Sequence, residues 1–158
     1  MPTLEIERKY LLQSMPQLPA TARAYRLEQG YFADEPGRVR RSRAPDGTVT
    51  YTHTVKRGVG LVREEDEREL TPDEFQSLWP RTAGRRLTKT RTKVPDGDLV
   101  WEIDDYDTLD LVIAEIELPT PDTRVTVPDW LAPHVIREVT GEPEYGNHQL
   151  AIRLAQQT

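Results

Sequence analysis

The stretch Leu4-Glu5-Ile6-Glu7-Arg8-Lys9-Tyr10-Leu11-Leu12 decides how this chain is read. Taken as a strand, with successive side chains on opposite faces, it puts Glu5, Glu7 and Lys9 on one side and Leu4, Ile6, Arg8, Tyr10 and Leu12 on the other. Two carboxylates and an ammonium then share a face. A solvent-facing strand with alternating charges has the same pattern, so the stretch gains meaning only through repetition.

The pattern does repeat. Glu65 and Glu67, then Glu115 and Glu117, form two more Glu-x-Glu pairs on separate predicted strands, and Asp104 lies on another. Basic residues recur with the same period of two: Lys9, then Arg38 and Arg40, Lys56, and Lys89 and Arg91. Opposite Glu115 and Glu117, the residues Val112, Ala114, Ile116 and Leu118 make a continuous apolar face.

Working outward, strands are expected over 4–12, 23–32, 38–43, 48–56, 61–70, 87–94, 99–106 and 111–118, mostly joined by short turns. The turn signals include Ala44-Pro45-Asp46-Gly47 and Pro95-Asp96-Gly97-Asp98. Gly58 and Gly60 make the charge-dense run 61–70 a hairpin partner of the strand before it. Thr71-Pro72-Asp73-Glu74 is a helix start, with Thr71 as cap, Pro72 in the first turn and Glu74 closing a capping box. The proline-containing run 119–133 reads as irregular structure, and 147–157 as a closing helix carrying Leu150, Ile152 and Leu154. Eight strands with few helices predict an α+β, mainly antiparallel β fold, a meander or a closed barrel, in a single domain over 1–158.

Composition narrows the function. Against 21 Lys+Arg stand 27 Asp+Glu, a formal charge of −6 that disfavours nucleic acid as partner. The chain lacks cysteine, which excludes disulfides and thiolate metal sites. No signal-like N-terminus and no bilayer-length apolar run is apparent, so a soluble, cytoplasmic protein is expected. Charged residues make up 30%, above the usual ~25%, while apolar residues reach only 36%. Either much of the chain is solvated or charges line something internal.

If the sheet closes, the charged faces converge. Converging carboxylates repel unless they hold cations, and hard oxygen ligands select Mg²⁺, Mn²⁺ or Ca²⁺. Converging Lys and Arg need an anion. Seven acids (Glu5, Glu7, Glu65, Glu67, Asp104, Glu115, Glu117) against six bases (Lys9, Arg38, Arg40, Lys56, Lys89, Arg91) leave −1. Two divalent ions and a triphosphate of roughly −4 to −5 nearly cancel one another on top of that balance. A metal-bound polyphosphate meets both demands.

At this point the motifs match a family. Glu5-Ile6-Glu7-Arg8-Lys9 resembles the N-terminal Glu-x-Glu-x-Lys signature of the CYTH proteins, or triphosphate tunnel metalloenzymes. Gln29-Gly30-Tyr31, Arg38-Val39-Arg40, Thr54-Val55-Lys56, Arg63 with Glu65 and Glu67, Lys89-Thr90-Arg91, Glu102-Ile103-Asp104, Ala114-Glu115-Ile116-Glu117 and Glu138-Val139-Thr140 with Asn147 follow in order. The resemblance covers essentially the whole chain. It implies an eight-stranded antiparallel tunnel with charges inside and helices outside, and hydrolysis of a triphosphate, most simply inorganic triphosphate, with one or two Mg²⁺ or Mn²⁺ ions. Lys9, Arg38, Arg40, Lys56, Lys89 and Arg91 would grip phosphates; Glu5, Glu7, Glu65, Glu67, Asp104, Glu115 and Glu117 would hold metal. Glu5, Glu7, Lys9, Lys56 and Arg91 are the expected catalytic core.

Two rivals remain. Adenylate cyclases of this family resemble a sequence with His-Phe ahead of the signature, whereas only Met1 to Leu4 precede Glu5 here. A polyphosphate- or nucleotide-binding module without turnover would gain nothing from seven inward carboxylates. Among the histidines, His53 is expected to pack away from the charged face, and His134 and His148 to be solvated. A homodimer is expected to cover apolar outer faces.

Overall fold

Each run with a period of two becomes a strand in the computed structural model, which describes residues 2–156. The strands are β1 (Thr3–Leu12), β2 (Arg23–Tyr31), β3 (Arg38–Arg43), β4 (Val49–Arg57), β5 (Val62–Glu69), β6 (Arg86–Asp96), β7 (Leu99–Tyr106), β8 (Val112–Glu117) and β9 (Val135–Glu138); the helices are α1 (Pro72–Leu78) and α2 (Asn147–Gln156). Gln157, assigned above to the closing helix, lies outside the described residues. β9 is the element that the sequence reading lacks. It is four residues long and follows the proline-containing run, too short to show a period.

All pairings are antiparallel, in the order β5-β4-β3-β2-β6-β7-β8-β1-β9, and β5 also pairs with β1. That last pairing closes eight strands into a barrel. β1 is the seam. Its one edge bonds β8 from Glu7 to Leu12, while the other is divided between β5, which takes Thr3 to Ile6, and β9, which takes Tyr10 to Leu12. Between those two partners the Glu7 amide donates to the Leu61 carbonyl and the Lys9 amide to the Thr140 hydroxyl, so the seam keeps its hydrogen bonds.

Because the charged faces turn inward, the apolar faces turn out and need cover. Ile6, Tyr10, Trp101, Ile103, Ala114 and Ile116 are buried beneath the irregular run that brings Val125, Val127, Trp130 and Leu131 onto them. α1 covers a second patch, Phe75 packing with Val39, Leu70 and Phe32. Its start is as read: Glu74 N–H donates to the Thr71 hydroxyl while the Glu74 carboxylate accepts from the Thr71 amide. His53 meets Phe32 on this outer side.

α2 differs. Its Leu150 and Ala151 pack on Tyr31, Leu87, Tyr106, Leu111 and Ile113. Leu87 shares the parity of Lys89 and Arg91, and Ile113 that of Glu115, so these are inward residues and α2 lies across one end of the barrel. No helix among the described residues is long and apolar enough to cross a membrane.

Gly30 shows how tightly the outer wall is packed. A Cβ there would lie 2.4 Å from the Thr82 hydroxyl oxygen and 2.6 Å from Thr82 Cβ. Thr82 is fully buried in the turn after α1 and its hydroxyl donates to the Trp79 carbonyl, so it has no room to retreat. Gly30→Ala should therefore destabilise the protein by roughly 1–3 kcal/mol, read as a lower midpoint in urea denaturation with an unchanged slope.

Candidate active site

The barrel encloses a cavity of about 1190 Å³. Eleven of the thirteen expected site residues line it: Glu5, Glu7, Lys9, Arg38, Arg40, Lys56, Glu65, Glu67, Arg91, Glu115 and Glu117. Strand register brings them together. Glu7 faces Glu117 and Lys9 faces Glu115 across β1 and β8, Lys56 faces Glu65 across β4 and β5, and Arg91 faces Asp104 across β6 and β7.

The acids gather at the β1 seam. Oxygen atoms of Glu5, Glu7 and Glu117 lie within 4.8 Å of one another. Lys56 Nζ donates to both Glu5 oxygens, at 2.9 and 3.0 Å, and Arg63 adds a contact at 3.3 Å. Burial alone would raise the Glu5 carboxyl, but a hydrogen bond with Glu65 and the charges of Lys56 and Arg63 bring it down to about 2. Glu65 moves the other way, to about 8, through burial, that same hydrogen bond and the Glu5 charge. Burial and the neighbouring Glu115 and Glu5 charges hold Glu7 well above the usual carboxylate range. Burial and Glu5 raise Glu117 as well. Glu67 accepts a hydrogen bond from Thr54 at 2.8 Å.

The guanidiniums gather on another part of the wall. Arg38 is buried, and its Nε has no hydrogen-bond partner among the described residues. Arg40 Nε donates to Gln29 at 2.9 Å, and burial beside Arg38 and Arg91 lowers Arg40 to about 9. Arg91 is neutralised: Asp104 takes two of its hydrogen bonds, at 2.8 and 2.9 Å, with Glu115 and Glu102 each 3.4 Å away. Lys9 sits 3.6 Å from Glu115 and also donates to the Tyr145 carbonyl.

Two expected site residues stand apart. Lys89 and Asp104 are wholly buried behind the cavity wall, 2.6 Å from each other. Both Asp104 oxygens are occupied by Lys89 and Arg91, so it faces no open space for a cation, and Lys89 reaches Asp104 and Asn147 instead of the cavity. Burial depresses Lys89 to about 7 against the pull of Asp104. Burial opposes the Asp104 charge too, but Arg91 and Lys89 keep its pKa below the ordinary value.

Arg63, Glu102 and Tyr31, which the motifs contain without a site role assigned to them, and Lys93, which lies outside the motifs, also line the cavity. The signal was present: Arg63 has the parity of Glu65, Lys93 that of Arg91, Glu102 that of Asp104, and Tyr31 that of Gln29. His148 is exposed in the first turn of α2, as expected, but it is also part of the site. It stacks on Tyr31 with ring centroids 4.8 Å apart and lines the cavity at the start of α2, whereas His134 meets Ser14 away from it. None of Trp79, Trp101 and Trp130 lines the cavity.

An inorganic triphosphatase from Nitrosomonas europaea is 34% identical over 156 residues, covering 95% of this chain and 98% of that protein. The chain belongs to the CYTH, or triphosphate tunnel metalloenzyme, family. An inorganic triphosphatase from Acetivibrio thermocellus is 33% identical over 151 residues, covering 92% of each. A solved inorganic triphosphatase structure superposes with a TM-score of 0.60 at 29% identity, covering 93% of this chain and 97% of that one. A Pyrococcus horikoshii protein of 18% identity shares the fold at a TM-score of 0.54, over 75% and 80% of the two chains. No family model matches.

Two predictions follow from these electrostatics. Glu65 binds its proton more tightly folded, near pH 8, than at its ordinary value of 4.5. The folded chain thus carries the extra proton across that window, and stability from this group, full below 4.5, is lost as pH rises through 8. In metal-free buffer, thermal melts from pH 5 to 8.5 should show the wild type losing stability relative to Glu65→Gln. Asp104→Asn, which strands two buried cations, should cost about 3–5 kcal/mol in urea denaturation.

Proposed function

We propose that this protein hydrolyses a phosphoanhydride bond of inorganic triphosphate with the help of Mg²⁺ or Mn²⁺. The observation that carries this reading is the division of one cavity into a cluster of close carboxylates and a cluster of guanidiniums. The names of the relatives support the reaction class.

The carboxylates fit a hard divalent cation. Glu5, Glu7 and Glu117 present converging oxygens, and burial, with the neighbouring carboxylate charges, raises the pKa values of Glu7, Glu65 and Glu117. Glu5, Glu7 and Glu117 would hold the ion, with Glu65 and Glu67 beside them; it supplies Lewis acidity toward phosphate oxygens and water.

The chain's own part is grip and charge. Arg38 and Arg40, which have no carboxylate within hydrogen-bond distance among the described residues, bind phosphate oxygens and stabilise the charge that develops on the transferred phosphoryl group. Lys9 and Lys56 hold carboxylates in the free protein and extend the same cationic wall to the acid cluster. Arg91 lines the cavity with its orientation fixed from behind by Asp104, itself anchored by Lys89. A rigid donor pays no reorganisation cost when charge develops.

With inorganic triphosphate and Mg²⁺ or Mn²⁺, orthophosphate release should exceed that from ATP and stop on chelation. Arg40→Ala should lower kcat by about 10²–10³-fold, as for loss of one positioned donor. Glu7→Gln should abolish the metal-dependent rate. Formation of cyclic AMP from ATP, or tight triphosphate binding without phosphate release, would overturn the proposal.

A further inference from the structure

A second, smaller cavity of about 210 Å³ lies against the first at the barrel seam. Glu7, Lys9, Arg63, Gly146 and His148 line both, so the two spaces meet across these five residues. The outer residues of the side pocket, Val59, Gly141 and Gln149, are exposed, whereas Glu7 and Lys9 are half-buried; it runs from the surface toward the active site. Sites for drug-sized molecules measure about 300–1,000 Å³. This one suits an inorganic ion.

The pocket follows from the divided edge of β1. Between its β5 and β9 partners that edge has no strand beside it, and two loops, 58–61 and 139–146, complete the wall. They meet backbone to backbone: a Cβ on Gly141, which has a φ of +76°, would come within 3.0 Å of Gly60 Cα. Among the described residues no backbone hydrogen bond joins one loop to the other. They can part without breaking one.

The charges of the pocket favour an anion. Lys9 and Arg63 supply two cations; of the two acids, Glu142 is bonded to Arg137, and Glu7 belongs to the carboxylates read above as cation ligands. Arg63 reaches Glu5 through one nitrogen at 3.3 Å, and the remaining donors of its five have no partner among the described residues. An anion also has to leave the cavity. In hydrolysis the oxygen of water bonds a terminal phosphorus of triphosphate as the bridging P–O bond breaks, giving orthophosphate, pyrophosphate and a proton that passes to solvent. Two anions then lie side by side and repel.

We infer that the side pocket is an orthophosphate site, through which this product passes Lys9 and Arg63 to the surface while pyrophosphate stays with Arg38 and Arg40. The inference rests on the triphosphate reading above and assigns its smaller product a separate way out.

Substitution at Gln149 tests this, because Gln149 lines the outer part of the pocket, is exposed in the first turn of α2 and takes no part in the triphosphate grip. Rates with triphosphate and Mg²⁺ are read as pyrophosphate formed, with orthophosphate added as inhibitor. Inhibition of the wild type should persist at saturating triphosphate. Through the series Gln149→Glu, wild type and Gln149→Lys, the inhibition constant of orthophosphate should fall by about 5-fold per step, with KM for triphosphate steady within about two-fold. A field reaching the main cavity would move both, and parallel shifts overturn the inference. The chain has no cysteine, so Gln149→Cys carries a single thiol on which a bulky methanethiosulfonate reagent forms a disulfide adduct that blocks the pocket. Orthophosphate inhibition should then weaken by about 10-fold or more at unchanged KM, and return when the adduct is reduced. Inhibition that vanishes at saturating triphosphate, or that neither the adduct nor the charge series alters, places orthophosphate in the main cavity alone and overturns the inference. A wild type that forms no pyrophosphate from triphosphate refutes instead the functional reading beneath it.

Discussion

The carboxylate of Asp104 is the fixed point around which the interior is arranged. It has no exposed surface, and its two oxygens are taken by Lys89 and Arg91. A charge in that position is tolerable only when paired and hydrogen-bonded, and the pairing locks three side chains from two neighbouring strands. Arg91 extends the network to Glu102 and Glu115, and Glu115 extends it to Lys9 on the seam strand. Where compensation is complete, the barrel is solid. Where it is incomplete, among the seam carboxylates and around Arg38 and Arg40, the barrel is open and has the charges a ligand and its counter-ions must satisfy.

A barrel filled with charge cannot also hold its hydrophobic core inside. The apolar residues are therefore distributed over the outer surface in separate patches, under α1 and under the irregular run before β9, with a third where α2 meets one end of the barrel. This resolves the low apolar fraction noted at the outset. The chain needs few apolar residues because, away from the end that α2 covers, the inward positions of the strands are free to be polar.

Much of this was legible from alternation alone. A period of two places Glu5, Glu7 and Lys9 on one face wherever the strand lies, and it does the same for Arg63 and Lys93, to which no site role was assigned. Depth was not legible. Parity puts Lys89 and Arg91 on the same face, but only register and the packing of α2 show that Lys89 is sealed off while Arg91 borders the cavity. The stacking of His148 on Tyr31 joins residues from β2 and α2 that no local pattern connects. β9 was invisible because four residues carry no period, and its partner lies at the opposite end of the chain.

The divided edge of β1 also bears on how the molecule assembles. Strands β2 to β8 can pair with at least one neighbour through hairpins or modest loops, but the seam draws on partners from three distant places. Lys9 reaches a threonine 131 positions away, and Arg8 an acid at 130. Contacts so far apart in sequence are expensive to form early, since the loop entropy must be met before they return anything. Closure is therefore the late event of folding. Until it happens, a row of glutamates on an open sheet edge keeps the unfinished barrel from pairing with its neighbours.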